Sequence, residues 1–205
     1  MLPQAIIFDL GKVLVDYDWM RAAKRFAARC SLPAPLLLLK FLQANPLVEF
    51  EKGRVTPEQF FDEAKRLTGF KGTYAEFVDY FSDIFSEMPE MIAAQAKLRA
   101  AGFPTYIFSN TNILAVEHIR AQFPFFTNFD GYIYSFEHDS MKPEAKLYEV
   151  VEAMTGRRGA ELLYLDDREE NIAAGAARGW QVILQEAPAK SLTAMRALGL
   201  PVGGE

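Results

Sequence analysis

The sequence predicts an α/β protein built on a doubly wound parallel sheet, with an all-helical block inserted after the first strand. Short apolar runs alternate with helical patterns along most of the chain, and such alternation is typical of parallel sheets. From residue 17 to residue 87 the pattern is helical and shows no strand signal. We therefore expect an α/β core of residues 1–16 and 88–205 and a helical subdomain of residues 17–87.

The core elements follow from apolar runs and from the residues that punctuate them. Ala5–Phe8 is continuously apolar, as expected for a strand buried on both faces. After the helical block, proline at a helix start and glycine past a helix end delimit two helices, which end before Gly102 and Gly156. We expect helices over residues 89–101, 143–155 and 171–178, a further helix that residues 109–112 open and that runs to about residue 122, and strands over 104–108, 131–134, 162–165 and 181–184.

The helical block has its own start signals. Apolar residues spaced by three and four indicate an amphipathic first helix. Thr56 and Thr73 each begin a capping box, which is typical of a helix N-terminus. We expect cap helices over residues 19–30, 35–42, 57–68 and 74–87. The Leu-rich second helix is expected to be buried, with a dimer surface or a lipid contact as its alternative role.

Composition and charge narrow the function classes. Of the 205 residues, 50% are hydrophobic and 24% are charged, and 17 Phe can fill a sizeable core. The net charge of −5 argues against nucleic-acid binding. The first residues lack a signal peptide pattern, and no apolar run approaches the roughly 20 residues of a membrane span. We expect a cytoplasmic protein that binds neither membrane nor nucleic acid, either a monomer or a homodimer.

Polar residues stand at the ends of three predicted strands. These are Asp9, Ser109 and the pair Asp166–Asp167. Each could by itself simply begin a turn. In a parallel sheet, however, the carboxyl ends of the strands meet at one edge, where ligands bind. Together with Lys142, these residues predict a site in one crevice.

The residue types at this edge favour a metal and an anion. Carboxylates that converge without histidine or cysteine favour a hard cation, with Mg²⁺ the usual choice. His118 lies in a predicted helix and His138 in a loop, so zinc and a Ser-His-Asp triad have little support. Residues 109–112 open a helix, whose backbone N–H groups favour an anion. A metal, an anion, Lys142 and a nucleophilic carboxylate together suit phosphoryl transfer.

Four motifs at these strand ends resemble the haloacid dehalogenase (HAD) superfamily. They are, in order, Phe8–Leu14, Ile107–Asn110, Lys142–Pro143 and Leu165–Asn171. The resemblance implies a Rossmann-like core with an inserted helical cap. Within the superfamily, residues 9–13, 109–112 and 51–56 look most like bacterial glucose-1-phosphatase-type enzymes. The phosphatase domain of soluble epoxide hydrolases is a more distant relative.

The resemblance implies catalytic and phosphate-binding roles for the core residues. Asp9 would attack phosphorus and form an aspartyl-phosphate. Ser109 and Lys142 would hold the transferring phosphoryl group, and Asn110 would line the pocket.

The same resemblance implies an Mg²⁺ site. Asp9, Asp167 and the backbone carbonyl of Gly11 would bind the ion, and Asp166 would be either a further ligand or a residue supporting the ligands.

The cap should decide specificity because it covers the crevice. Glu51, Lys52 and Arg54 fall on a predicted turn before Thr56 and could reach a sugar or a second anion. A charged surface turn without contact to substrate is the alternative interpretation.

Gly11 departs from the pattern of most phosphatases in the superfamily. They carry a second Asp there, which protonates the leaving group and activates water, and general acid–base catalysis is worth typically about 10²–10⁴ in rate. Asp16, Asp18 and Glu51 are the candidates to replace it. Because glucose-1-phosphatase-like members share the glycine, catalysis stays the favoured interpretation.

The sequence thus predicts an Mg²⁺-dependent phosphatase for a small phosphorylated metabolite, with sugar phosphates as the leading class. A phosphosugar mutase is disfavoured because it would need the missing acid even more. The dehalogenase reaction is disfavoured because it would use neither the metal nor the phosphate ligands. The alternative from another class is a binding or regulatory protein that keeps the pocket but turns over little.

Overall fold

The computed structural model describes residues 1–43 and 46–203. Over these residues the elements follow one another as β1 (Ala5–Phe8), β2 (Val15–Tyr17), α1 (Trp19–Ala27), α2 (Ala34–Leu42), α3 (Pro46–Glu51), α4 (Pro57–Thr68), α5 (Tyr74–Ser82), β3 (Phe85–Glu87), α6 (Pro89–Ala100), β4 (Thr105–Ser109), α7 (Ile113–Gln122), β5 (Gly131–Tyr134), α8 (Ala145–Thr155), β6 (Leu162–Asp166), α9 (Glu169–Ala177), β7 (Gln181–Leu184) and α10 (Pro188–Ala197). None of the helices in this part of the chain is both long enough and apolar enough to cross a membrane.

The core is a five-stranded sheet in the order β5-β4-β1-β6-β7. All of its neighbouring strands are parallel, and β1 lies in the centre between β4 and β6. The predicted doubly wound α/β fold is therefore confirmed. Because the chain moves to one side of β1 for β4 and β5 and to the other side for β6 and β7, the carboxyl end of β1 lies where the strand order reverses.

Helices cover both faces of the sheet, which explains why β1 is apolar throughout. Successive side chains of a strand point to opposite faces. Ile6 and Phe8 pack into the cluster formed with α6, α7 and α10. Ile7 packs on the other face, with Tyr148 of α8 and Trp180. All of these β1 side chains are fully buried, so the strand that carries Asp9 at its end is held on both sides.

Helices α1 to α5 pack around a cluster of phenylalanine rings. Its buried members include Phe50, Phe60, Phe70, Phe77 and Phe81. The rings of Phe50 and Phe60 stack with centroids 4.3 Å apart. This cluster is separate from the two clusters of the sheet, and it also takes in Leu114 of α7, so the core of the helical segment is completed by a helix of the sheet part.

The helix starts of this segment confirm the sequence signals. Thr56 and Thr73 each accept a hydrogen bond from a backbone N–H three residues later, and both capping boxes are complete. Gly69 ends α4 in the left-handed conformation, with φ +69°. These signals are local, so they hold whatever the helices pack against.

Three sequence predictions about this segment are wrong. It contains strands, because β2 pairs with β3 in an antiparallel ribbon, and the helix predicted to reach Glu87 ends at Ser82. Each strand has three residues, too few for an alternating pattern to be recognised. Helix α2 is also only partly buried, since Leu36 and Leu39 are 40% and 50% exposed.

The phenylalanine cluster predicts where the helical segment is sensitive. Phe60→Ala should lower the free energy of unfolding by about 3–5 kcal/mol, because it removes a buried, stacked ring and leaves a cavity. Leu39→Ala, in the same segment but half-exposed, should change it by less than about 0.5 kcal/mol. Guanidinium unfolding followed by circular dichroism and tryptophan fluorescence measures both. Equal losses would contradict the proposed core.

Candidate active site

A cavity of about 210 Å³ lies between the carboxyl ends of the central strands and helices of the inserted segment. The sheet side contributes polar groups, and the helical side contributes mostly aromatic ones. From the sheet side it is lined by Asp9, Gly11, Ser109, Asn110, Lys142 and Asp167, and from the helical side by Tyr17, Trp19, Leu47, Glu51 and Phe81. The structure therefore brings the polar strand ends predicted from sequence into one cavity.

Lys142 occupies the centre of the polar side. Its Nζ lies 2.9 Å from Oδ1 of Asp9 and 2.7 Å from Oδ2 of Asp166, and it also donates to the carbonyl oxygen of Phe108 at 2.9 Å. Burial would by itself lower the pKa of Lys142, but the two carboxylates raise it. Lys142 is therefore a fixed cation that joins the ends of β1, β4 and β6.

Asp166 is fully buried and saturated with hydrogen bonds. Its Oδ1 accepts from the backbone N–H of Arg168 and from Asn171 Nδ2, at 2.8 and 3.0 Å. Its Oδ2 accepts from Lys142 and from the hydroxyl of Tyr164. Burial raises the pKa of Asp166, but Lys142 and the other donors outweigh burial and hold it below its ordinary value. Since a carboxylate has about four acceptor positions, Asp166 holds Lys142 rather than facing the cavity.

By contrast, the second carboxylate oxygen of Asp9 accepts no hydrogen bond from the residues that the structure describes. Its Oδ1 takes the contact with Lys142 and accepts from the backbone N–H of Leu10 at 2.7 Å. Burial raises the pKa of Asp9 to about 8, and the nearby Asp166 adds to the rise, although Lys142 opposes it. A group that adds positive charge here would bring Asp9 into its ionised, nucleophilic form.

The carboxylates fit a hard dication. Oxygens of Asp9, Asp166 and Asp167 lie within 4.8 Å of one another. Among the described residues, Lys142 is the one buried cation beside these three carboxylates, and Arg168, which also lines the cavity, is exposed, so buried negative charge is in excess. Asp167 has no cation within 4 Å among the described residues, and burial raises its pKa. An oxygen-only donor set with uncompensated negative charge suits Mg²⁺.

Asn110 and Ser109 follow β4 at the same edge. Asn110 donates from Nδ2 to the backbone carbonyl of Lys142 at 3.0 Å and accepts from the backbone N–H of Lys142 at 2.7 Å. This amide pair locks the Lys142 segment to the end of β4. Ser109 is buried and lines the cavity. Asn112 caps α7, whose N-terminus points its first N–H groups to this side.

Gly11 lies beneath an aromatic ring. A Cβ atom placed on Gly11 would lie 3.0 Å from Cε1 of Tyr17, tighter than an ordinary contact. Tyr17 belongs to β2, in the ribbon that sequence analysis missed. The space that a side chain at position 11 would use is thus taken by Tyr17.

The three charged residues predicted at the specificity turn separate in the structure. Glu51 is the last residue of α3 and lines the cavity. Lys52 pairs with Glu144 at 2.7 Å, and Arg54 pairs with Asp139 at 2.5 Å. Both partners belong to the sheet part of the chain, so these two ion pairs join it to the helical segment.

Several residues that support the site have no role that the sequence predicts. Tyr164 and Asn171 both bind Asp166. In the sequence Tyr164 has the position of an ordinary buried strand residue, and only its hydroxyl group distinguishes it from an apolar one. Ser135 is buried between strand ends and exchanges hydrogen bonds with the backbone of Thr111. No sequence pattern predicts these contacts: Tyr164 precedes Asp166 by two residues on the same strand, whereas Asn171 and Ser135 bind partners on neighbouring segments.

Comparison with known families and curated proteins gives consistent matches. The family model of the haloacid dehalogenase-like hydrolases matches residues 3–179. Acyl-CoA dehydrogenase family member 10 of Mus musculus is 26% identical over 213 residues, covering 97% of this chain, which spans only 19% of the mouse protein. A D-ribitol-5-phosphate phosphatase from Bacteroides thetaiotaomicron is 24% identical and covers 88% of this chain and 91% of its own length. A sesquiterpene phosphatase from Aspergillus oryzae is 23% identical and covers 86% of each.

Solved structures share the fold. A HAD-like family hydrolase from Porphyromonas gingivalis has a TM-score of 0.81 and 23% identity, and the match covers 97% of this chain and 98% of that one. A HAD family enzyme from Bacteroides thetaiotaomicron, in complex with magnesium and inorganic phosphate, has a TM-score of 0.79 and 22% identity, with coverage of 89% and 93%.

The raised pKa of Asp9 predicts how the free energy of unfolding of the metal-free protein, kept in EDTA, depends on pH. Because the pKa of Asp9 rises from 3.8 to about 8 in the folded protein, the native state keeps a proton that the unfolded chain releases. Wild-type stability should therefore fall as pH rises from about 4 to about 8. Asp9→Asn should be the more stable protein at pH 8, by about 2 kcal/mol or more.

Urea unfolding of both proteins at several pH values measures this difference. Asp16→Asn, at an exposed carboxylate that pairs with Lys12, is the control and should not reproduce it. A wild-type advantage over Asp9→Asn at pH 8 in EDTA would contradict the prediction.

Proposed function

Since the chain belongs to the haloacid dehalogenase-like hydrolases, we propose that it is a magnesium-dependent phosphatase that acts on small phosphate monoesters through a phosphorylated Asp9. One observation carries the proposal. Asp9 stands at the end of the central strand and lines the cavity beside a buried cation, Lys142, and a second carboxylate, Asp167, which has no cation within 4 Å among the described residues. A nucleophile, a cation for the phosphoryl charge and a metal position thus share one cavity floor.

The chain's own residues divide the work as follows. Asp9 attacks phosphorus. Lys142, held by Asp166, neutralises charge on the transferring phosphoryl group, and Ser109 donates a hydrogen bond to it. Asn110 keeps Lys142 in place through its backbone.

In this proposal Asp9, Asp167 and the carbonyl of Gly11 would hold Mg²⁺, and Asp166 would support the site through Lys142. The ion, when bound, supplies positive charge that offsets the carboxylates and the phosphoryl oxygens. The Bacteroides thetaiotaomicron enzyme with magnesium and phosphate, which shares the fold, is consistent with this assignment.

We further propose that residues 17–87 act as a cap that encloses the alcohol part of the substrate. The cavity is small and its cap side is largely aromatic, which suits a compact ester. Sugar phosphates remain the predicted class. The two phosphatase relatives are named for very different compounds, D-ribitol 5-phosphate and a sesquiterpene. The test therefore needs a panel of substrates.

The first experiment measures phosphate release from p-nitrophenyl phosphate and a panel of sugar, polyol and terpenyl phosphates. Wild-type activity should require Mg²⁺ and vanish in EDTA. Asp9→Asn should lose about 10³-fold or more, because the nucleophile is gone. Mass spectrometry of acid-quenched wild type should find one added phosphoryl group on Asp9. Folded protein that binds Mg²⁺ and phosphate but releases none from any ester would favour the binding or regulatory alternative.

The two neighbouring aspartates should differ in their effect on the metal. Asp167→Asn should raise the Mg²⁺ concentration for half-maximal rate by about 10- to 100-fold, because it removes a metal ligand. Asp166→Asn should lower kcat with a smaller change in metal requirement, because it releases Lys142. Calorimetric Mg²⁺ binding, without substrate, gives the same comparison. Equal losses of affinity would make Asp166 a direct ligand.

A further inference from the structure

We propose that Glu51, carried by the cap, is the general acid and base that the glycine at position 11 does not supply. This inference rests on the proposed phosphatase function and names one further catalytic residue for it. Glu51 would protonate the oxygen of the leaving alcohol and then take a proton from the water that hydrolyses the aspartyl-phosphate.

The position next to the nucleophile cannot provide this group. Gly11 carries no side chain, and Tyr17 lies 3.0 Å from the point where its Cβ would stand. Any acid must therefore come from another wall of the cavity. The tyrosine hydroxyl is a poor source, because burial raises the pKa of Tyr17 further above its ordinary value of 10.0.

Two of the three acids considered from sequence do not face the cavity. Asp16 is exposed and pairs with Lys12. Asp18 is exposed and caps α1 by accepting from the backbone N–H of Met20 at 2.8 Å. Glu51 is the remaining candidate, and it lines the same cavity as Asp9 and Lys142.

Glu51 is free to act on a substrate. Among the described residues its carboxyl group has no ion pair within 4 Å and no side-chain hydrogen bond. It differs in this from its neighbours Glu49 and Lys52, which are both paired. The oxygens of Glu51 are therefore available to form hydrogen bonds with a bound substrate.

The backbone around Glu51 is held against the sheet part of the chain. Lys52 pairs with Glu144 and Arg54 with Asp139, one on each side of Gly53. Gly53 has φ +72°, and a Cβ there would lie 2.0 Å from the carbonyl oxygen of Phe136. This close approach fixes the end of α3 over the cavity, which a general acid requires.

The protonation state of Glu51 suits the role. Burial raises its pKa to about 7, and Arg168 opposes the rise. The other charged groups that line this cavity are Asp9, Lys142, Asp167 and Arg168, all from the sheet side, and the titratable Tyr17 faces it from β2. A carboxyl with a pKa near neutrality can both give and take a proton.

The two steps balance as follows. Asp9 forms a bond to phosphorus while the bond from phosphorus to the leaving oxygen breaks, and that oxygen takes the electron pair and the Glu51 proton to become the alcohol. The resulting Glu51 carboxylate takes a proton from water as the water oxygen bonds to phosphorus. The bond to Asp9 then breaks, which returns its carboxylate and releases phosphate. Glu51 ends protonated, as it began.

The test depends on the leaving group. p-Nitrophenolate departs without a proton, whereas the alkoxide of a sugar or polyol phosphate does not. Glu51→Gln should therefore lower kcat/KM by about 10²-fold or more for whichever alkyl ester the wild type hydrolyses, and by less than about threefold for p-nitrophenyl phosphate. The wild-type rate with the alkyl ester should also fall above about pH 7, and this limb should be absent in Glu51→Gln.

Matched variants exclude structural explanations. Tyr17→Phe removes the competing hydroxyl and should affect both esters alike, and Asp16→Asn should leave both rates unchanged. Circular dichroism and thermal unfolding check that each variant is folded. A loss of kcat/KM confined to the alkyl ester in Tyr17→Phe, or equal losses of kcat/KM with both esters in Glu51→Gln, would overturn the role of Glu51. Either result would leave the proposed phosphatase function intact. Wild type that releases phosphate from no ester overturns the proposed function and this inference with it.

Discussion

The buried ammonium of Lys142 is the contact on which the site depends. It lies between Asp9 and Asp166 and also donates to the backbone of Phe108, so one side chain ties together the ends of the three central strands. A buried lysine is stable only with partners of opposite charge. Asn110 and Tyr164 hold Lys142 and Asp166 in turn. The parallel order β4-β1-β6 is what allows these partners to meet.

This arrangement leaves a charge imbalance that is useful for phosphoryl transfer. One ammonium faces three carboxylates, and burial makes the excess negative charge costly. In the proposed mechanism, a divalent cation bound here would offset that charge and favour the approach of a phosphate dianion to Asp9.

The cap contributes side chains to the cavity that the sheet part of the chain does not supply. The ribbon of β2 and β3 brings Tyr17 over Gly11, and the ion pairs of Lys52 and Arg54 hold the end of α3 against the core. In the proposed mechanism, Glu51 on the cap supplies the acidic group that Gly11 cannot. The reacting groups then come from two parts of the chain, and the contact between those parts sets their geometry.

The sequence by itself determined the sheet, the capping boxes and the strand-end residues, because apolar periodicity, caps and parallel pairing are set by short segments or by a general rule of α/β folds. It did not determine the three-residue strands β2 and β3, whose pairing is long-range. Nor could it separate Glu51 from Lys52 and Arg54, because all three are charged side chains within four residues of one another. Only the tertiary structure decided which of them faces the cavity, because that depends on Glu144 and Asp139, more than eighty residues away.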